Sequence, residues 1–388
     1  MRNISVKMHR LATFSFFFMN GALAATWVSR IPTIQEKLGI TEGVLGFVLL
    51  GFSIGLLVAL VLVSEWINRS GSKKVVLASS IAACIALPLL GIFSHPILLF
   101  IGLIIFGASL SAMDVSMNEQ AVLVERRTGK PIMSSFHAGY SIGGVAGALF
   151  GSLMAGNQSQ NTMIQFLIIS AIFSIAAFAL YSNLQSTDVT RKKESKKSTI
   201  QFPERAVWVL GIIALASAFG EGAAANWSAV FIQNELGATA SSAALGFAAF
   251  SLTMTGGRIF GDWLMRILKP SRVVRMGGFL AGLGFFLAAW SNQPWLAIAG
   301  FGMVGLGLAN VIPTLFSTAG NLSGINPGTG IAGVATIGYA GFLFGPPLVG
   351  TIAEIFSLRE ALSIIAVIMM TLIFSGRSLI QKNENENI

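Results

Sequence analysis

The chain has 388 residues, 54% of them hydrophobic and only 11% charged, with a mean hydropathy of +0.75 and a formal net charge of +9. An average soluble domain carries roughly 25% charged residues, so this balance excludes a water-soluble globular protein and indicates one built for the bilayer. The single cysteine, Cys84, excludes an intrachain disulfide, and no Cys/His spacing resembles a metal cluster, which sets aside redox and zinc chemistry.

Apolar runs recur along the whole length, each long enough to cross the roughly 30 Å hydrocarbon core as a helix of about 20 residues. In chain order the expected spans are 11–30, 43–65, 75–93, 97–122, 132–154, 162–183, 206–232, 242–265, 274–291, 294–318, 329–352 and 359–379. That is an all-α integral membrane protein of twelve transmembrane helices, with loops too short for a soluble domain. The first span has a competing reading, because a basic start followed by an apolar stretch and "ALA" at 22–24 mimics a cleavable signal peptide.

The net charge is compatible with nucleic-acid binding, but its placement argues for topology instead. Of the 25 lysines and arginines, all but Arg30, Lys37 and Arg359 fall in loops or tails that share one side if the N-terminus is inside. Positive residues favour the cytoplasmic side, so both termini are expected in the cytoplasm and no nucleic-acid partner is expected.

Helix 1 carries Asn20, Trp27 and Arg30 toward its outer end. Two readings of Arg30 stand: it snorkels to the interface, or it recruits an anionic group. The loop between helices 2 and 3 reads "NRSGSKK", residues 68–74. Helix 4 ends in "GASLSAMDVSMNEQAVLVERR", residues 107–127, which places Asp114 and Asn118 one turn apart on one face. An ionised Asp at a membrane helix centre costs about 2.5–3.5 kcal/mol, so such residues face a bundle interior or a wet cavity. The bland alternative is a structural hydrogen bond to a neighbouring helix. Glu125 is expected to pair with Arg126 at the interface. Helix 5 begins at "KPIMSS", continues through "FHAGYSIGG" with His137 and Tyr140, and carries glycines at 139, 143, 144, 147 and 151 that suit close helix packing.

Beyond the polar segment 186–205 the pattern starts again. "NGALAATW" at 20–27 resembles "EGAAANW" at 221–227, and "KLGIT" at 37–41 resembles "ELGAT" at 235–239. The offset near 200 also pairs "SKKVV" at 72 with "SRVV" at 271 and "GYSIGG" at 139 with "GYAGFL" at 338. The chain therefore divides into a six-helix bundle over 1–185, a cytoplasmic linker over 186–205 and a second bundle over 206–388. Helix 7 brings Glu221, Asn226 and Trp227; helix 8 ends in "GGRIFGD", residues 256–262; helix 10 carries "NVIPTLFS", residues 310–317. Trp27 and Trp227, paired by the repeat, read either as interfacial belt residues or as rings flanking the outer half of a cavity. Two parallel six-helix halves describe a transporter with a site at the repeat interface near the bilayer midplane.

The whole chain resembles the major facilitator superfamily, and several motifs are similar to those of its fucose permease-like group, including a bacterial inner-membrane branch. The 68–74 loop resembles the superfamily's D-R-x-G-R-[KR]-[KR] at Arg69, Gly71, Lys73 and Lys74. Asn68 replaces the usual acid, for which Glu65 one turn earlier can substitute. Arg258 and Asp262 fit G-R-x-x-G-D, and the resemblance implies a gating role for both loops. Asp262 is the candidate partner for the helix 5 N-terminus, which attracts a carboxylate. Asp114 and Asn118 resemble the E-x-x-x-N of fucose-proton symporters, and Glu221 with Trp227 resembles the group's helix 7 pattern. His137 and Tyr140 fit H-x-x-[FY]-x-x-G, while Pro313, Thr314 and Ser317 fit P-T-x-x-S. One departure is clear: helix 1 offers Asn20 where the group carries an acid.

The resemblance implies proton-coupled symport of a small polar solute such as a sugar by alternating access, in a bacterial inner membrane, by a monomer without cofactors. Asp114 and Glu221 are the expected proton-coupling residues. Asn20, Trp27, Arg30, Asn118, His137, Tyr140, Asn226, Trp227, Asn310 and Thr314 are the expected substrate contacts. The alternatives are an exporter of metabolites or drugs and a receptor that kept the fold without flux. No nucleotide-binding loop is present, and no nucleophile/base pair suggests an enzyme. Reporter fusions after residues 70, 128, 195 and 388 are expected to read cytoplasmic and one after Asn157 periplasmic. A periplasmic C-terminus would contradict the twelve-helix topology.

Overall fold

The computed structural model describes residues 5–128, 132–155, 161–186, 205–322 and 327–375, and among them the chain is helical with no strand. A bilayer offers no water to a free backbone N–H or C=O, so a helix that bonds internally is the natural spanning element. The first half contains α1 (Val6–Val28), α2 (Ile31–Leu38), α3 (Glu42–Ser70), α4 (Ser72–Ile92), α5 (Pro96–Thr128), α6 (Met133–Ala155) and α7 (Asn161–Tyr181). The second contains α8 (Arg205–Val230) with a π-helical turn (Phe231–Glu235), α9 (Ala240–Ile259), α10 (Gly261–Ile267) and α11 (Pro270–Trp290). It continues with α12 (Pro294–Leu308), α13 (Val311–Gly320), α14 (Pro327–Ile355) and α15 (Leu358–Ser375).

Among the described residues nine helical segments are long and apolar enough to cross a membrane. Helices α6, α9 and α15 cover the other three expected spans, so the twelve-helix reading of the sequence matches the architecture. Several spans are not single straight helices. Helix 1 breaks at Ser29–Arg30 before α2, whose Pro32 sits in the first turn, where a missing N–H is harmless. Helix 10 breaks at Ala309–Asn310, between α12 and α13.

Contacts divide the chain into two compact units, Met1–Lys196 and Lys197–Ile388. The expected linker lies mostly outside the described residues. Within the N-terminal unit α1 packs on α6, α3 on α5, and α4 on both α5 and α7. The C-terminal unit repeats that order, with α8 on α14, α9 on α12, and α11 on both α12 and α15. The duplication extends to single turns. Gly39 and Gly237 both take left-handed backbone, with φ of 60° and 63°, which glycine adopts without a Cβ penalty. Two residues later Thr41 and Thr239 both cap the next helix, accepting from Val44 N at 3.4 Å and Ser242 N at 3.3 Å.

The glycines of α1 and α6 set how close those helices come. A methyl group on Gly143 would overlap the Phe18 carbonyl, and one on Gly21 would overlap the Tyr140 carbonyl, so each helix's backbone lies in the other's glycine notch. Gly341 of α14 makes the equivalent approach to the Leu215 carbonyl of α8. Because the obstacle is backbone rather than a flexible side chain, Gly143→Val is expected to destabilise the N-terminal unit by about 1–3 kcal/mol. Thermal unfolding in detergent measures this, and an unchanged melting temperature would show that α1 and α6 can separate freely.

Candidate functional site

In the N-terminal unit the side chains with chemistry gather around α5. Met113 and Met117 on its inner face are 0% and 1% exposed, whereas Asp114 is exposed. Asn118 Nδ2 donates to the Asp114 carbonyl at 2.9 Å and to its carboxylate Oδ1 at 3.2 Å. Among the described residues the carboxylate has no partner on a neighbouring helix, so the structural-bond reading of Asp114 finds no support. The amide beside it serves either protonation state, since its NH2 donates to a carboxylate and its carbonyl accepts from a carboxylic acid.

The other expected residues of this unit separate into two groups. Asn20 is 4% exposed and donates to the Leu110 carbonyl at 2.9 Å, one turn before Asp114. It therefore ties α1 to α5, and its NH2 is engaged by backbone. Trp27 is 3% exposed and packs in the core, with no ring face open in this structure. Arg30 does not snorkel: it is 1% exposed, at the break between α1 and α2, with Nε donating to Gln165 Oε1 at 2.5 Å. His137 is exposed on α6, its ring edge-on to Phe17 at 5.3 Å, and Tyr140 is half-buried on the same helix.

At the end of this unit where α3 meets α4, Arg69 pairs with Glu65 at 2.9 Å. An exposed i,i+4 pair of this kind contributes only about 0.3–0.5 kcal/mol. Gly71 has φ 79°, which the sharp α3–α4 turn requires. Lys73 crosses to the end of α7, donating to the Leu184 carbonyl at 3.2 Å and lying 4.7 Å over the Tyr181 ring; Lys74 is exposed. Gln120, which no motif flagged, donates to Ser72 Oγ and the Gln185 carbonyl and accepts from Gln185 N, each at 2.9 Å. A single amide thereby joins α4, α5 and the segment after α7. In the sequence Gln120 is only the last residue of the polar run Asn118–Glu119–Gln120.

At the start of α6 Glu125 Oε2 accepts from Ile132 N at 2.8 Å, so the acid expected beside Arg126 reaches the helix terminus for which Asp262 is the expected partner. Pro131 and the Asp262 side chain lie outside the described residues.

In the C-terminal unit Glu221 Oε1 lies 3.5 Å from Arg258 Nη2, joining an expected coupling residue on α8 to an expected gating residue on α9. The side chains are 20% and 41% exposed, and the distance is that of a loose ion pair. Asn226 donates to the Gly222 carbonyl of its own helix at 2.8 Å. Asn310 is 8% exposed and donates to the Gly257 carbonyl at 2.8 Å, bolting the helix 10 break to α9. Thr314 is 1% exposed and donates to the Asn310 carbonyl at 2.6 Å. Trp227 is fully buried. The Asn310 and Thr314 donors are thus engaged by backbone carbonyls, while the buried Trp227 Nε1 has no partner among the described residues. A cavity of about 820 Å³ borders α9, α10 and α11, lined by Phe260, Trp263, Met276 and Phe279. Its polar liners are Thr253 and Asn310, which both donate to backbone carbonyls, and Arg275, whose Nε is buried with no partner among the described residues, so an otherwise apolar wall carries one cation. Among the described residues no three His, Cys, Asp or Glu side chains converge as metal ligands.

The family model described as Major Facilitator Superfamily matches residues 11–324 and again 210–384. The chain is 32% identical over 367 residues to an uncharacterized MFS-type transporter of Yersinia pestis, covering 94% of each. It is 30% identical over 353 residues to the membrane protein MosC of Rhizobium meliloti, covering 91% of this chain and 85% of that one. A variant of the nucleoside transporter NupG superimposes with a TM-score of 0.83 at 12% identity, over 96% of this chain and 100% of the other. A bacterial homolog of the human lysosomal transporter Spinster, inward-facing and occupied, gives 0.78 at 14% over 95% of each chain. At those identities the two structures bear on the fold alone.

The Gln120 clamp generates a test of its own. Gln120→Leu removes both bonds to the buried Gln185 backbone and the donor to Ser72 Oγ, at about 1–3 kcal/mol for a buried group left unsatisfied. A clear fall in melting temperature is expected, with Lys74→Ala as the exposed control; equal melting of the two variants would show that the clamp holds nothing.

Proposed function

The chain belongs to the Major Facilitator Superfamily and is a transporter, and from that premise we propose that it moves a small polar solute such as a sugar or sugar-like metabolite by alternating access, driven by protons through Asp114. The observation that carries the reading is an exposed carboxylate on a membrane-spanning helix whose only partner among the described residues is the Asn118 amide. Charging a carboxylate costs more in a dry environment than in a wet one. A side chain whose hydration alternates with conformation therefore links proton occupancy to the direction the protein faces.

Asn118, His137 and Tyr140 are the proposed solute contacts in the N-terminal unit, because they are not buried and offer neutral donors and acceptors suited to hydroxyls. Glu221 and Arg258 act as the second charge-sensing element. Their 3.5 Å contact joins α8 to α9, so a solute that binds there alters it. Gating is proposed for Arg69, Gly71, Lys73 and Lys74 in the N-terminal unit and, separately, for Arg258 and Asp262 in the C-terminal unit. The host membrane is proposed to be the bacterial inner membrane, with both termini in the cytoplasm. The nucleoside specificity of NupG does not carry over at 12% identity, since a shared fold selects no substrate.

In proteoliposomes, Asp114→Asn keeps size and hydrogen bonding but cannot titrate. It is expected to abolish uphill accumulation driven by a pH gradient while retaining counterflow exchange. Glu221→Gln is expected to do the same only if coupling is shared between the two units. Full uphill transport by the Asp114→Asn protein would falsify the proton-carrier role.

A further inference from the structure

Among the described residues Arg30 has a surplus of donors and no counter-charge. Its Nε bonds Gln165, yet its Nη2 is buried without a partner, and so are Gln165 Nε2, Thr33 Oγ1 and Thr162 Oγ1. The Arg30–Gln165 bond joins the start of α2 to the first turn of α7. Thr33 lies three positions after Arg30, across the first turn of α2, and Thr162 lies three before Gln165 on α7, so each pair shares a helix face. Thr33 and Thr162 line one cavity of about 520 Å³, which Lys37 and Glu36 also border. At Gly151 of α6 the packing is closed: a methyl there would overlap Ser29 Oγ and lie 3.4 Å from Gln165 Nε2.

Among the described residues no ion pair joins Arg30 to a carboxylate, and the neighbouring Ser29 Oγ donates to the Thr26 carbonyl. Lys37 Nζ donates to the Gly91 carbonyl at 2.7 Å, closing the far wall with a second cation. Buried polar groups are almost always bonded, and a buried guanidinium without a carboxylate is the costliest exception. Two cations and four unsatisfied polar atoms, with no acid paired to Arg30, make a pattern that lacks an acceptor.

We propose that this end of the N-terminal unit binds a small oxyanion, a carboxylate or an inorganic phosphate, held by Arg30 and Gln165 with Thr33 and Thr162 completing the donor set. The site is distinct from Asp114 and does not depend on proton coupling there. Planar oxyanions match the guanidinium fork, and the hydroxyls supply the remaining bonds.

The test uses the purified full-length protein in detergent, with melting temperature followed against sodium acetate or sodium phosphate at ionic strength matched by sodium chloride. A saturable rise with either oxyanion is expected, since a ligand that binds the native state raises its apparent stability. A response to acetate alone identifies a carboxylate site such as an acidic solute would use, and a response to phosphate alone identifies an inorganic-anion site. Arg30→Gln is expected to weaken the apparent affinity about tenfold or more, the loss of a charged hydrogen-bond donor. Thr33→Val with Thr162→Val should weaken it while keeping the charge, which decides the matter if Arg30→Gln does not fold. Asp114→Asn should respond like the unmodified protein. No saturable response, a response undiminished in both sets of variants, or its loss in Asp114→Asn would overturn the assignment.

Discussion

A polar atom inside an apolar bundle has no water to turn to, and the rest of this structure follows from where each one finds its partner. Asn20, Gln120 and Asn310 all donate to carbonyls of another segment, and each thereby fixes where one helix crosses the next. Such bonds act together with the glycine notches. The notches let two backbones approach, and the amides set their register along the approach. The α1–α6 and α8–α14 pairs show the first device, and the α9 contact at Gly257 shows the second.

Against that background the exceptions stand out chemically. Asp114 keeps its carboxylate exposed beside an amide of its own helix, and Arg30 keeps part of its guanidinium buried and unsatisfied. One is an acid whose only side-chain partner among the described residues is an amide of its own helix, the other a cation with a donor to spare. Both sit beside fixed points: Asp114 one turn after the carbonyl that Asn20 holds, and Arg30 at the break that starts α2. A charged group attached to a rigid element keeps its geometry while its surroundings change, which is what a site that must report on protonation or ligand requires.

Much of this architecture is legible in the sequence because it rests on local rules. Hydrophobic length marks the helices, and the Gly-x-Thr after each repeat's Leu marks a left-handed cap followed by an N-cap, in both units. The i,i+4 spacing likewise places Glu65 against Arg69 and Asn118 against Asp114. What the sequence does not reveal is how a polar side chain is used. An asparagine that grips a carbonyl and one that faces a solute are the same residue in the same apolar context, and the difference lies in a helix far away in the chain. Asn310 was expected at a ligand and holds Gly257; Glu125 was expected on Arg126 and caps α6. Gln120 and Gln165 carry no motif at all, since their partners come from segments 65 and 135 residues distant.

The interruption at Ser29–Arg30 also has a mechanical meaning. An unbroken helix would carry a bend along its whole length, whereas a break confines rotation to two residues. Helix α2 is about 12 Å long at 1.5 Å per residue, so a swing of about 10° at that joint carries its tip about 2 Å. The tip holds Lys37, whose ammonium grips the carbonyls at the end of α4. Displacement of the α2 lever would therefore pull on α4 while leaving α1 seated in its glycine notches, giving the N-terminal unit one moving part on a stationary frame.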